Sequence, residues 1–140
     1  MIIPTRFLSL TVHLITTLSL FWSREPNLLS CIPEDVTADS EVYRVKDVQL
    51  VAGLCLMLAL LLIEYAGFFS GLSLFNSSVS LISSFLHITA CILLLFFQAQ
   101  AWNCDTFWYV LAFCSIIPSL VEIVSDAIEI KIIADMYSKH

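Results

Sequence analysis

The stretch from Val48 to Phe69, VQLVAGLCLMLALLLIEYAGFF, decides the fold. Its only charged side chain is Glu64, close to the end of the stretch. The hydrocarbon core of a bilayer is about 30 Å thick, and an α-helix of roughly 20 apolar residues crosses it. The stretch therefore predicts a transmembrane helix.

Three further stretches are long enough, or nearly long enough, to cross a bilayer: 7–22, 79–97 and 107–124. Aromatic side chains stand at the ends of these stretches, as in the aromatic belts of membrane interfaces: Trp22, Trp102, Trp108 and Tyr109. Nothing alternates with the period of two that a membrane β-barrel requires. The predicted fold class is an all-α integral membrane four-helix bundle, with short loops and one longer acidic loop between helices 1 and 2.

Composition supports the same class. Of the 140 residues, 59% are hydrophobic and 13% charged, against about 45–50% and about 25% in soluble domains. Lipid is the solvent that suits such a chain. With a net charge of −6 and only six Lys and Arg residues, no basic stripe for nucleic acid can form.

The first stretch has two interpretations. An early Arg6 and an apolar run are also found in cleaved signal peptides. The run is followed, however, by Leu20-Phe21-Trp22-Ser23-Arg24 instead of a small-residue cleavage site. We therefore predict a retained helix, with Arg6 and Arg24 snorkelling outwards from its ends.

The end of the chain, 125–140, is predicted to be an amphipathic helical tail. Apolar residues continue at helical spacing beyond Glu122: Ile123, Ala127, Ile130 and Ala134. Lys131 and Asp135, like Asp135 and Lys139, stand four apart and can pair on a helix face.

Four spans place both termini on one side of the membrane. Lys and Arg residues divide equally between the two sides, so the positive-inside rule does not choose an orientation. The N-terminal amine favours cytosolic termini, which is the orientation predicted here.

Two cysteines lie in loops that share the side opposite the termini. Cys31 is in the long loop, and Cys104 precedes the fourth span. If that side is oxidising, the two can form a disulfide; the alternative is two unrelated free thiols. Cysteines within the spans are interpreted as small packing residues: Cys55, Cys91 and Cys114.

Asn76-Ser77-Ser78 is formally a glycosylation sequon, but it falls on the side of the termini. It also lies in a very short loop, close to the membrane edge. Asn76 is better explained as the N-cap of the third helix, where its side chain accepts from free backbone N–H groups. Glycosylation is therefore not expected.

Ionisable side chains inside a span are costly, so each is a candidate functional residue. There are four: His13, Glu64, His87 and Glu122. Counted from the span ends, all four fall in the half of the bilayer nearer the termini. They could form a proton relay or ion site, or they could hold helices together. We favour the structural role, with Glu64 and His87 as the pair, because a transporter should show more spans or inverted repeats.

Three further residues suggest helix packing. Gly67 and Gly71 form a G-x-x-x-G pair that allows close backbone approach, although they could equally mark a helix end. Pro118 predicts a kink in the fourth helix, freeing a carbonyl that Ser115 or a neighbour could satisfy.

No enzymatic motif is apparent. The sequence has no H-E-x-x-H, no phosphate-binding glycine loop and no Cys-x-x-Cys pair. A non-enzyme without catalytic, cofactor-binding or metal-binding residues is the resulting prediction.

A set of short motifs runs along most of the chain, from Pro4 to about Glu122. The motifs are Arg6-Phe7-Leu8 before His13, Phe21-Trp22-Ser23-Arg24, Asp47-Val48-Gln49-Leu50-Val51-Ala52, Glu64 before Ala66-Gly67-Phe68, Ser70-Gly71, Phe75-Asn76-Ser77, Ser80-Leu81-Ile82-Ser83, His87, Cys104 ahead of Trp108-Tyr109, and Phe113-Cys114-Ser115 before Pro118 and Glu122. Together they resemble the transmembrane protein 107 family. The tail departs from that pattern, because Asp126, Glu129 and Asp135 replace an apolar and then basic stretch.

The resemblance implies a four-span scaffold of the ciliary transition zone, at the base of the cilium. It implies partners among the membrane and coiled-coil proteins of the Meckel-syndrome and tectonic group, besides membrane lipids. The implied role is to help assemble that group, gate ciliary membrane composition, and support ciliogenesis and Hedgehog signalling. The alternative from the residues alone is a small proton- or ion-coupled transporter.

Overall fold

The computed structural model of the protein describes residues 2–34, 40–71 and 76–139. All regular structure in these ranges is helical. The helices are α1 (Ile2–Trp22), α2 (Glu25–Leu29), α3 (Glu41–Ser70), α4 (Ser77–Ala99), α5 (Phe107–Leu111) and α6 (Ile117–Ser138). A 3-10 turn, Cys104–Thr106, precedes α5, and a π-helical segment, Ala112–Ile116, joins α5 to α6.

Within these described ranges, four helical segments are long and apolar enough to cross a membrane: Ile2–Trp22, Glu41–Ser70, Ser77–Ala99 and Cys104–Ser138. The predicted all-α membrane four-helix bundle is confirmed. Each helix continues beyond the apolar stretch that predicted it. The apolar stretch ends at the first polar residues, whereas the helix continues, through its backbone hydrogen bonds, until a cap or a turn stops it.

Side chains and a glycine set several helix ends. The Ser40 side chain accepts from the backbone N–H of Tyr43, and Asn76 accepts from that of Val79 at 3.3 Å. Asn76 is thus an N-cap in the structure. Gly71 is the C-cap of α3, with a left-handed φ of 78°, a conformation that glycine adopts without the steric cost of a Cβ. A Cβ at Gly71 would meet none of the described residues within 4 Å, so of the two interpretations of Gly71 the structure supports the helix end.

The fourth span changes its winding next to Pro118. Pro118 is buried in the first turn of α6, directly after the π-helical segment. Proline lacks an N–H and crowds the carbonyl four residues earlier, and a wider π turn relieves that crowding. The hydroxyl of Ser115 is buried and makes no hydrogen bond, so of the two predicted alternatives, Ser115 or a neighbour, Ser115 does not satisfy the freed carbonyl.

An apolar core fills the bundle between the spans. Its fully buried side chains include Leu20, Leu54, Met57, Leu94, Phe97 and Phe107. α1 packs most extensively against α4, and also contacts α3. The core occupies the half of the bundle away from the termini, and polar side chains are concentrated in the other half.

A disulfide, hydrogen bonds and an ion pair hold together the end of the bundle opposite the termini. Cys31 and Cys104 form a disulfide with Cα atoms 5.8 Å apart. The Asn27 side chain donates to the carbonyls of Phe97 and Trp102 at 2.7 and 2.9 Å. Arg24 binds Asp47 at 2.6 Å, and this hydrogen bond raises the pKa of Arg24. Together these contacts hold α2 against the N-terminal ends of α3 and the fourth span.

A buried polar network as the candidate functional site

Glu64 on α3 and His87 on α4 form the centre of the network. Glu64 Oε2 lies 2.6 Å from His87 Nε2, and Glu64 Oε1 accepts from the hydroxyl of Ser119 at 2.9 Å. His87 Nδ1 lies 2.9 Å from Nδ1 of His13. Glu64, His87 and His13 are each 0% exposed. The contacts form a continuous file of hydrogen-bonding groups from Ser119 to His13.

The geometry restricts where the hydrogens can be. His87 Nε2 must carry a hydrogen to donate to a Glu64 carboxylate, and the facing Nδ1 atoms of His87 and His13 share one hydrogen between them. If His87 donates from Nδ1, it is an imidazolium and His13 accepts. If His13 donates, both rings are neutral. The two arrangements differ by one proton.

A second contact, between Arg6 and Glu122, lies nearer the start of α1. Arg6 is 0% exposed, and its guanidinium lies 2.5 Å from the Glu122 carboxylate. The prediction that Arg6 snorkels outwards is therefore wrong. Because α1 begins at Ile2, Arg6 lies in its second turn, not at its end, and a buried carboxylate is available to pair with it.

Gly67 makes room for this ion pair on α3. A Cβ at Gly67 would lie 2.6 Å from Glu122 Oε1 and 2.9 Å from Asp126 Oδ2. Any larger side chain would collide with these carboxylates. Gly67 thus has the packing role predicted for it, but its neighbour is α6, and Gly71 takes no part.

The contacts link the four spans into a closed circuit. Arg6 and Glu122 join α1 to α6, and Glu64 and Ser119 join α6 to α3. His87 joins α3 to α4 through Glu64, and α4 back to α1 through His13. In a bilayer no hydrophobic effect holds helices together, so buried polar contacts and close packing have to do so. The circuit therefore specifies which helix lies next to which.

One of the four predicted intramembrane groups does not join the others in the structure. Glu64, His87 and His13 form one file, but Glu122 pairs with Arg6 instead of completing it. Arg6 and Ser119 were missed as network members. The signal for Ser119 was its position three residues before Glu122, which places both on the same face of a helix.

The remaining candidates lie elsewhere. Cys91 and Cys114 are buried, whereas Cys55 is exposed. Within residues 2–34, 40–71 and 76–139, the potential metal-ligand atoms of Cys31, Cys104 and Asp105 lie within 4.8 Å of one another. The two sulfurs are bonded to each other and cannot act as thiolate ligands. This cluster is therefore a disulfide with a carboxylate beside it.

The fold and the network define a four-span α-helical membrane protein whose spans are joined by buried polar contacts. A family model described as "Transmembrane protein", TMEM107, matches residues 2–125. The chain belongs to the transmembrane protein 107 family.

Relatives from several vertebrates share this name. Transmembrane protein 107 of Rattus norvegicus is 48% identical over 121 residues, covering 86% of this chain and 85% of the relative. The Homo sapiens relative is 46% identical with the same coverage, and that of Danio rerio is 43% identical, covering 87% and 89%. No solved structure matches the chain. The family match stops at residue 125, where the predicted tail begins.

Proposed function

We propose that the protein is a non-enzymatic membrane scaffold of the ciliary transition zone. In this role it helps assemble the Meckel-syndrome and tectonic group of proteins, gates ciliary membrane composition, and supports ciliogenesis and Hedgehog signalling. Membership of the transmembrane protein 107 family is the observation that carries the proposal, through what the sequence resemblance implies for that family.

The polar network supports a scaffold over a transporter. Arg6, Glu64, His13 and His87 have no exposed surface, so an ion has no aqueous route to them in this conformation. Arg6 pairs with Glu122, and Glu64, His87 and His13 are hydrogen-bonded in one file. A scaffold needs a fixed arrangement of spans, and the outer faces of those spans remain available to partner proteins and lipids.

The disulfide supports one orientation of the protein in the membrane. The Cys31–Cys104 bond lies at the end of the bundle opposite the termini, and disulfides persist in lumenal or external compartments, not in the cytosol. We propose on this ground that both termini face the cytosol. Coiled-coil partners, which are soluble, would then meet the protein at its terminal end.

The test is localisation in ciliated cells that lack the endogenous protein. A tagged copy at native expression should concentrate in a narrow zone at the base of the cilium and restore ciliogenesis. Arg6→Ala should fail to do both, because it opens the polar circuit. Arg44→Ala, which removes an exposed ion pair with Glu41, is the matched control and should behave like the wild type. An even distribution of the folded wild-type protein over the plasma membrane would contradict the proposal.

One observation favours a second candidate function. The file from Ser119 through Glu64 and His87 to His13 has the continuity of a proton relay. Purified protein in liposomes with a pH gradient distinguishes the two functions. Proton flux that Glu64→Gln abolishes would favour transport, whereas equal leak rates for the wild type and the variant favour the scaffold.

A further inference from the structure

The file from Ser119 to His13 contains one group that is negatively charged when ionised, the carboxylate of Glu64. Both of its oxygens are engaged, one with Ser119 at 2.9 Å and one with His87 Nε2 at 2.6 Å. Glu64, His87 and His13 are each 0% exposed. A buried carboxylate whose charge is not balanced is far more costly than a neutral group in the same place. The cost of burying the file therefore depends on how many protons it holds.

The number of protons sets the net charge of the file. When both rings are neutral and Glu64 is ionised, the file carries one net negative charge. One further proton makes the file neutral, whether that proton lies on Glu64 or on His87. A second further proton would leave one net positive charge in the same buried place. Burial therefore favours the state with one further proton, which Glu64 and His87 share across 2.6 Å.

The charged groups beside the file do not balance Glu64. Arg6 is paired with Glu122. A Cβ on Gly67 would lie 2.6 Å from Glu122 Oε1 and 2.9 Å from Asp126 Oδ2, so a second carboxylate is turned towards the same point. The titratable side chains that the packed spans bring together in this half of the bundle are Arg6 and His13 of α1, Glu64 of α3, His87 of α4, and Glu122 and Asp126 of α6. Three carboxylates thus meet one guanidinium, and this excess of negative charge favours a further proton in the file.

One face of α6 connects the file with the terminal end of the bundle. Ser119, Glu122 and Asp126 follow one another at spacings of three and four residues, so they share a face of the helix. Glu122 Oε1 approaches α3 at Gly67, which is one helical turn, about 5 Å along the axis, from Glu64. Asp126 is half-buried and lies one turn nearer the terminal end. Carboxylates placed in this way can accept a proton and pass it on.

On its other side the file ends at the apolar core. The next polar side chains of α1 after His13 are Thr16 and Thr17, and their hydroxyls donate to backbone carbonyls of the same helix. Beyond them the bundle is filled by apolar side chains that are 0% exposed, among them Leu20, Leu54, Leu94 and Phe97. Within residues 2–34, 40–71 and 76–139, the buried groups of this half include thiols and hydroxyls but no carboxylate or imidazole. The core therefore separates the file from the disulfide end of the bundle.

We propose that Glu64 and His87 bind one proton that exchanges only with the compartment on the side of the termini, by way of Glu122 and Asp126. The file is then a one-sided proton-binding site and not a path across the membrane. Loss of the proton leaves an unbalanced carboxylate between α3, α4 and α6, so the polar circuit weakens as the pH of that compartment rises. This goes beyond the proposed scaffold function, because it makes the arrangement of the spans sensitive to pH.

Spectroscopy of the full chain in lipid nanodiscs at neutral pH tests the occupancy. The wild type should show either a doubly protonated His87 ring, by its nitrogen chemical shifts, or a protonated Glu64, by the infrared carbonyl stretch of a carboxylic acid. Glu64→Gln removes the charge that holds the proton and should show neither signal. Glu129→Gln, which removes an acid of α6 outside the file, is the matched control and should keep the wild-type signal. A neutral His87 beside an ionised Glu64 in the wild type, or an unchanged signal in Glu64→Gln, would overturn the proposal.

A pH step outside liposomes tests the one-sided access, with the protein inserted in either of its two orientations. Rapid-mixing infrared spectroscopy should show a change in the file when the termini face outwards and none when the disulfide end does. Asp126→Asn should slow the change about 100-fold, the lower end of what a positioned proton-transferring group contributes, whereas Glu129→Gln, with the same loss of charge, should match the wild type. The intact Cys31–Cys104 disulfide reports that each variant is folded. A change in both orientations, or proton flux across the liposomes, would overturn the one-sided site, and equal rates for Asp126→Asn and the wild type would overturn the route.

Discussion

The guanidinium of Arg6 lies 2.5 Å from the carboxylate of Glu122, 116 residues later in the chain, and neither side chain reaches solvent beyond 2% of its surface. The pair connects the first and last spans of the bundle. A buried pair of this kind is costly to break, because removing one partner leaves a charge with no counter-ion and little water.

Arg6→Ala should therefore lower the free energy of unfolding by about 3–5 kcal/mol. The joint replacement Arg6→Met with Glu122→Leu should cost less than Arg6→Ala alone, because it leaves no buried charge. Reversible unfolding in mixed detergent micelles measures the free energy of unfolding of the wild type, the single variant and the double variant. Arg44→Ala, at an exposed ion pair, is the control, and an Arg6→Ala effect no larger than that of the control would contradict the role of the pair.

The contact between Glu64 and His87 should stabilise the bundle by a smaller amount. Glu64→Ala is expected to lower stability by about 0.5–2 kcal/mol, the range of interhelical polar contacts in membranes. Glu64→Gln should cost less, because an amide can still bond to His87 and Ser119. A double-mutant cycle at Glu64 and His87 isolates the coupling. A coupling energy of zero would mean that the two side chains do not meet in the membrane.

Loss of the Cys31–Cys104 disulfide should change electrophoretic mobility and stability. In non-reducing electrophoresis, Cys104→Ser should migrate as the reduced wild type does. The Cys31 thiol should become reactive in Cys104→Ser, and the Cys104 thiol in Cys31→Ser. Closing a loop of 73 residues contributes at most about 4 kcal/mol in the chain-entropy model. Cys55→Ser, at a free cysteine, is the control. Full labelling of Cys31 and Cys104 in native membranes would refute the bond.

Alanine substitutions at Gly67 and Gly71 should lower the stability of the protein for different reasons. Gly67→Ala puts a methyl group within 2.6 Å of Glu122 Oε1, so the buried ion pair must shift, at a cost of about 1–3 kcal/mol. Gly71→Ala meets no atom but strains a φ of 78°, whereas Gly71→Asn should be tolerated because asparagine adopts that conformation more readily. Thermal unfolding of the three variants provides the comparison. A stability loss for Gly71→Asn equal to that of Gly67→Ala would be inconsistent with this assignment.

Both termini are expected on the cytosolic side of the membrane. Tags fused to either end should be removed by protease added outside sealed microsomes, and the loop that holds Cys31 should stay protected. A tag placed in that loop is the internal control for vesicle integrity. A protected C-terminal tag would exclude the proposed orientation.

The sequence by itself determined the helices of this protein, because a bilayer demands long apolar segments with internally satisfied backbones. The stretch around Val51 could only be a spanning helix, and Asn76 and Gly71 mark helix ends by their own chemistry. The small number of residues between α3 and α4 also made neighbours of Glu64 and His87, so their contact could be predicted from position along the chain.

Tertiary structure alone decided the rest of the network. Whether Arg6 reaches headgroups or a carboxylate depends on which helix faces α1, and no local pattern carries that information. The same holds for Gly67, whose neighbour is α6, and for Ser119, which looks like an ordinary small residue until α3 brings Glu64 within hydrogen-bonding distance. Polar contacts between spans far apart in sequence depend on the packing of whole helices, and that packing is settled only when all the spans are in place.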